Sequence, residues 1–355
     1  MIFKNGKKLT PAKGAAGLLK IMMNGSQLWP EIQKEIPISE TTAGDILLWD
    51  KTGSRKLFVS KDALSSYPSD SYTPIGIVVI PASHDVYGDG SCGVMSLKPM
   101  NCDTPTTGGT SEQYMYWGVY GTNISGLPDL DQVPIGNTSN GIPTGRTSSA
   151  YLPSDKFSGT QCAHDTDAYY NSSSYIPSPY LTDGSRNPGY YQTSSPSSSR
   201  NALADFDGIG NTEKIITQRG TKDYNSWTPG KTTEADYPAA SCCDMFYTEG
   251  TSQGDWYLPA CGELGYIMPS FNKINDAIDK VRTIYGSSVG VELDTNDYYW
   301  SSTEDSSNYA RYVNTKLGYV NYANKGNLDY YVRAFLKVSP LDLSGMSPES
   351  ASNGV

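Results

Sequence analysis

The chain is poor in the residues and motifs that mark chemistry. It holds two histidines, His84 and His164, and its six cysteines include no CxxC pair. Zinc sites are built from such close pairs, and Cys162-Ala163-His164 supplies half a site with no second half in view. Cys92, Cys102, Cys162, Cys242, Cys243 and Cys261 therefore read as small buried thiols or an occasional disulfide. There is no G-x-S-x-G and no P-loop, which removes two common signatures of a nucleophilic serine and a phosphate cradle. No basic run exceeds Lys7-Lys8 and the net charge is -10, so nucleic acid is not an expected partner. Phosphate binding needs a clustered Lys/Arg footprint. No apolar run reaches the roughly 18 residues of a membrane-spanning helix, so no span is expected. The most apolar part of the N-terminal region, Ala15 to Met23, is broken by Lys20 and leads to no small-residue cleavage site, so no signal peptide is expected.

Phenylalanine is also scarce, with 7 Phe against 27 Tyr. Tyr offers a large contact area, few rotors and a polar tip, which suits an exposed recognition surface. The plainer alternative is that Tyr replaces Phe inside strands.

What is present divides along the chain. Residues 1–32 form a short basic arm, with Gly17 to Met23 a strand entering the turn Asn24-Gly25. Too little apolar surface is available there for independent folding, so docking or oligomerisation is the expected role. Residues 33–71 read as a small accessory β module: Asp45 to Trp49 and Lys56 to Val59 flank the turn Asp50 to Ser54. A main domain is expected over 72–338, opening with the β-branched run Pro74 to Ile80 and a second strand, Cys92 to Leu97. Residues 104–200 read as an insertion. Between Asp165 and Ser199, 16 of 35 residues are Ser or Tyr, which fits either a disordered segment or one lying across a folded body.

Regular pattern returns at Asn201. A helical turn is expected at Asn211 to Ile216 and a short helix at Ala239 to Tyr247. The clearest helix runs from Ser270 to Tyr285, with Phe271, Ile274, Ile278, Val281 and Tyr285 on one apolar face. From Asp297 to Val338 the pattern is β, and 339–355 reads as a flexible tail. The run Asp205 to Asn211 is oxygen-rich but lacks the terminal Glu of an EF-hand loop. No metal and no cofactor is expected.

Trp256-Tyr257-Leu258-Pro259, then Gly262-Glu263-Leu264, a helix, Tyr299-Trp300-Ser301-Ser302-Thr303-Glu304 and Val332-Arg333-Ala334-Phe335 together make a pattern. It resembles the C-terminal half of the C-type-lectin-like variable proteins of diversity-generating retroelements. The phage major tropism determinant is the known type of that family, which includes related bacterial and prophage surface proteins. The resemblance covers roughly residues 72–338 and implies an α+β, C-type-lectin-like fold preceded by a β-rich segment. It implies a ligand-binding protein rather than an enzyme, with a host surface protein or glycan as partner and trimers as the assembly. A phage or prophage tail tip is the implied location, a bacterial surface adhesin the alternative. Calcium-binding lectin signatures such as Glu-Pro-Asn are absent, so calcium-mediated sugar binding is not implied. No cysteine follows Cys261, which leaves the paired-cysteine chemistry of formylglycine-generating relatives without support. Glu304 and Arg333 are expected as a buried structural ion pair.

In that family, mutated template adenines turn Asn codons into a restricted set that includes Tyr, Asp, Ser and Arg. Residues 298–331 hold eight Tyr and five Asn, which resembles a diversified repeat. Because strands alternate, one set of side chains packs and the other faces out. The expected binding residues are Tyr299, Asp305, Asn308, Tyr309, Arg311, Tyr312, Asn314, Tyr319, Asn321, Tyr322, Asn324, Asn327, Asp329 and Tyr330. The expected inward set is Trp300, Val313, Val320, Val332, Ala334 and Phe335.

Overall fold

A computed structural model of the chain describes residues 35–101, 108, 114–127, 129, 150–151, 205–218, 237–293, 298–314, 319–327 and 330–343, together with short strands before residue 30. The chain divides into two units, Met1–Glu35 and Ile36–Val355. In the first, β1 (Phe3–Lys4) pairs with β2 (Lys7–Lys8), and β3 (Ala12–Lys13), β4 (Leu19–Met23) and β5 (Ser26–Trp29) form a three-stranded sheet. β4 and β5 pair antiparallel from Met23 and Ser26, so the strands flanking Asn24-Gly25 make the expected hairpin.

The second unit is built on a six-stranded antiparallel sheet. Its hairpin β6 (Ile46–Asp50) and β7 (Arg55–Val59) turns where Asp50 Oδ1 accepts hydrogen bonds from the Thr52 and Gly53 amides, both at 2.9 Å. That side-chain turn replaces backbone pairing across Lys51 to Ser54. β6 then pairs with β8 (Tyr72–Ile80), which pairs with β9 (Cys92–Ser96). The expected accessory module is therefore corrected: residues 46–59 belong to the main sheet. The reason is apolar alternation on both faces of β6. Ile46 and Leu48 enter one buried cluster and Leu47 the other, so the strand needs cover on both sides. Pro74 lies inside β8, and the register shifts beside it between Leu47 and Leu48. A residue without an N–H breaks the ladder, and a bulge absorbs the break. At Gly76 a Cβ would stand 2.5 Å from the Met95 carbonyl, so the close approach of β8 and β9 requires glycine.

After β10 (Ala150–Tyr151) come α1 (Gly208–Gln218), α2 (Pro238–Met245), β11 (Trp256–Tyr257), α3 (Cys261–Gly265) and α4 (Ile267–Tyr285). α4 starts three residues before the expected Ser270, because Pro269 falls in its first turn, where an amide has no intrahelical acceptor. Its Phe271, Ile274, Ile278 and Val281 pack with Ile77, Val79 and Met95 in the first cluster. β12 (Tyr298–Glu304), β13 (Tyr309–Asn314) and β14 (Tyr319–Asn324) form a second antiparallel sheet in the order β10-β14-β13-β12. β15 (Phe335–Val338) returns to the first sheet between β11 and β9. The architecture is α+β. Among the described residues no helix is long and apolar enough to cross a membrane.

The stretch expected as an insertion also needs correction at its front. Met115, Trp117 and Ile124 are buried in the second cluster, and the Met115 amide donates to the Tyr330 carbonyl at 2.9 Å. Residues 165–199 lie outside the described residues.

Candidate functional site

The motifs at residues 256–264 and 299–304 meet. The Ser302 amide donates to the Pro259 carbonyl at 2.8 Å, and the Cys261 amide donates to Thr303 Oγ1 at 2.9 Å. Thr303 Oγ1 and Asn211 Nδ2 both donate to Asp205 Oδ2, at 2.7 and 2.8 Å. The oxygen-rich run before α1 is thus bound into the motif, and Asp207 Oδ1 receives the Gly210 amide at the helix start, 3.1 Å away. Trp256 and Trp300 are buried in the same cluster, as expected of the residues bracketing the helix.

Beside them lies a closed polar cluster. The fully buried Glu263 accepts hydrogen bonds from Tyr257 Oη (2.8 Å), Tyr87 Oη (3.0 Å) and the Ala260 amide (2.7 Å). Burial pushes its carboxyl up to about 8, against the pull of those donors. The same burial raises both tyrosine hydroxyls well above their ordinary value. This carboxyl is sealed inside the core, where it ties the Trp-Tyr-Leu-Pro strand to α3.

The expected binding set divides into three. Tyr299, Arg311, Tyr312 and Tyr330 are buried, which corrects their expected place on a binding surface. Alternation leaves one face of a strand wet only where no second layer lies over it, and at Tyr299, Trp300, Ala310, Tyr312 and Val313 both faces of β12 and β13 are covered. Tyr299 and Val313 enter the cluster that holds α4, while Trp300, Ala310 and Tyr312 enter the other. Tyr312 and Tyr330 stack with ring centroids 4.6 Å apart, and Trp300 lies 4.4 Å from Tyr330. Here Tyr does the packing work of the scarce Phe. Arg311 pairs with Asp305, and its guanidinium sits 5.3 Å from the Tyr322 ring centre. Asn314, Tyr319 and Asn321 occupy strand positions whose side chains are not described, as is that of the expected inward Val320; Asp329 lies outside the described residues. Val313, Val332, Ala334 and Phe335 are buried.

The remaining six gather at one end of the hairpin β13–β14. Asn324 and Tyr322 are exposed; Asp305, Asn308, Tyr309 and Asn327 are half-buried. Tyr309 pairs with Asn324 across the strands, and its ring lies 5.1 Å from Tyr322. Tyr120 joins them from the loop 114–124. It is 54% exposed, and the neighbouring Gly121 amide donates to the Ser307 carbonyl at 3.0 Å.

Lys325 holds these three loops in place. Its ammonium donates to Glu304 and to the Thr122 carbonyl (2.8 Å), and lies 4.9 Å from the Trp117 ring centre. Its carbonyl accepts the Trp117 and Gly118 amides at 3.0 and 3.1 Å, and its amide donates to the Asn308 carbonyl at 3.1 Å. Glu304 also accepts from the Ile124 amide at 3.2 Å. Both side chains are fully buried. Burial raises the Glu304 carboxyl and lowers the Lys325 ammonium, and their pairing opposes both shifts. The pairing expected between Glu304 and Arg333 is replaced by this one. Arg333 instead donates to the carbonyls of Leu97 (3.1 Å), Val291 (2.8 Å) and Glu292 (3.1 Å). Sequence reasoning passed over Lys325 and Tyr120. A lysine inside a turn carries no sign of burial, and Tyr120 lies about 190 residues from the hairpin it joins.

No family model and no curated protein matches the chain. Among solved structures it is similar to a fimbrial protein from Bacteroides ovatus ATCC 8483, at 18% identity and a TM-score of 0.40, covering 84% of this chain and 49% of that one. The chain spans about half the length of that protein.

Proposed function

We propose that this chain is a ligand-binding protein with a C-type-lectin-like arrangement, whose binding surface is the loop end bearing Tyr120, Asn308, Tyr309, Tyr322, Asn324 and Asn327. The observation that carries this reading is a contrast. Exposed and half-buried Tyr and Asn side chains stand on strand ends and turns fastened by a buried Lys325–Glu304 pair and a web of backbone hydrogen bonds. Rigid Tyr anchors and adaptable amides on a fixed base are the economy of antibody loops. A support that uses backbone groups and buried residues lets the displayed side chains change without loss of fold.

The diversified-repeat reading narrows accordingly. The tolerant positions are the displayed ones, and Tyr299, Arg311, Tyr312 and Tyr330 belong to the scaffold. The partner is a host surface protein or glycan, and a phage or prophage tail tip is the setting. The test is the neighbouring DNA. A near-copy of the codons for 298–331 beside a reverse-transcriptase gene, differing at adenines in the displayed codons, is the expected finding. A near-copy whose differences fall on the buried codons, or no near-copy at all, sinks the diversified reading.

A further inference from the structure

Away from that loop end, the second unit contains a cavity of about 380 Å³. Small-molecule pockets run from roughly 300 to 1,000 Å³ and pair an apolar floor with a few convergent polar groups. The cavity is formed where the start of β8, the residues after β9, and the turns after α2 and α4 come together. It shares no residue with the surface proposed above, and the inference does not rest on that proposal.

Its walls are fixed. The Val291 amide and Arg333 Nη1 both donate to the Leu97 carbonyl, at 2.9 and 3.1 Å, and Ser96 Oγ donates to the Lys98 carbonyl at 2.7 Å. Phe246 is wedged edge-on against Trp256, with ring centroids 4.9 Å apart. Thr248 is held in a tight turn, its amide donating to Thr251 Oγ1 at 2.8 Å. Ile75, Leu97 and Val289 supply apolar surface.

The polar groups in this cavity face solvent, open to a ligand. Lys98 is half-buried in the wall, and among the described residues its ammonium has no ion-pair or hydrogen-bond partner. In a chain of net charge -10, a half-buried cation without a carboxylate is conspicuous. The hydroxyls of Tyr247, Thr248 and Ser288 likewise have no partner among the described residues. Thr73 donates its hydroxyl to Glu249, which leaves its lone pairs as acceptors. Tyr247 is 45% exposed, so an aromatic surface stands at the rim.

We propose that this cavity binds an acidic sugar, a pyranose carrying a carboxylate. Each part of such a ligand meets a group already in place. The carboxylate meets the Lys98 ammonium, a charge-assisted contact roughly twice as strong as a neutral one. The ring hydroxyls meet Thr73, Thr248 and Ser288, and the apolar face of the ring lies against Tyr247 and Phe246. A fatty acid would leave the Thr248 and Ser288 hydroxyls unanswered, and a neutral sugar would leave the cation so.

The test is titration of the full chain, by ligand-observed NMR or calorimetry, with glucuronic acid, methyl glucuronide, glucose and benzoate. Glucuronic acid should saturate with a dissociation constant of the order of 1 mM, at least tenfold tighter than glucose and than benzoate. Methyl glucuronide separates two sources of the same chemistry. If it matches the free acid, the site reads the end of a glycan; if it fails, the site takes a free sugar acid. Lys98→Gln should abolish the preference over glucose, and Tyr247→Ala should weaken binding severalfold, both at an unchanged melting temperature. Equal binding of glucose and glucuronic acid, equal binding of benzoate, or glucuronic acid binding untouched by Lys98→Gln overturns the proposal. So does the absence of saturable binding by a sugar acid in a chain that melts normally.

Discussion

At the scale of single residues, burial separates two kinds of tyrosine that sequence cannot tell apart. Tyr312 and Tyr322 stand ten positions apart in one hairpin, yet one is 6% and the other 42% exposed. Composition and strand alternation gave both the same meaning, because neither shows that a second layer covers the sheet. Trp300 was legible, since a Trp inside a fixed-looking motif needs a pocket and an indole acceptor. It has both, donating Nε1–H to the Met115 carbonyl at 2.9 Å. Trp300→Ala should cost about 3–5 kcal/mol in denaturant unfolding; a loss below about 1 kcal/mol would place the residue outside the core. Glu263 gives a pH prediction. Its carboxyl titrates near 8 in the folded chain and near 4.5 unfolded, so the folded state holds a proton that the unfolded chain releases. Its contribution is complete below the unfolded value and is lost as pH rises toward the folded one. Between about pH 5 and pH 8, the parent should lose stability relative to Glu263→Gln, by at most about 1.4 kcal/mol per pH unit. Parallel stability curves for the two proteins across that window would show that Glu263 is already ionised in the fold.

At the scale of elements, the legible parts were those with a strong local period or a punctuating residue. The apolar face of α4, the β6–β7 hairpin and the hairpin at Asn24-Gly25 follow from spacing and turn chemistry. The membership of β6 and β7 in the main sheet did not, because strand pairing with β8 is non-local and a hairpin looks the same whether it stands alone or extends a sheet. Nor did the Lys325–Glu304 pair, which depends on where three loops meet. Removing one partner of a buried ion pair strands the other charge, at a cost of about 3–5 kcal/mol, while removing both costs less than the sum. Lys325→Met and Glu304→Gln should each destabilise by that amount in denaturant titrations, with the double variant well short of additive. Additive losses would mean that the two side chains act independently and that the loop end is fastened by its backbone alone.

At the scale of the whole molecule, the α+β unit Ile36–Val355 holds two buried apolar clusters, and the second contains Trp117, Ala310 and Ala323 beside the polar loop end. The positions of the fourteen expected binding residues show how far sequence carries. Six reach the loop end, four are interior, three are strand positions with no described side chain, and Asp329 lies outside the described residues. Tyr299, Arg311 and Tyr312 are interior because both faces of β12 and β13 are covered there, and Tyr330 because its ring packs on Tyr312 and Trp300. The loop end itself was readable because turns between strands are exposed and their Asn and Asp content marks them. The central claim is that this end binds through side chains the fold does not need. The direct measurement is a combined Tyr120→Ala, Tyr309→Ala, Tyr322→Ala variant, assayed beside the parent by thermal melting and by binding of labelled protein to a panel of bacterial cells. The expected result is a melting curve close to the parent's and a loss of binding of about 2 kcal/mol or more, roughly thirtyfold. A variant that melts like the parent and binds like the parent would contradict it.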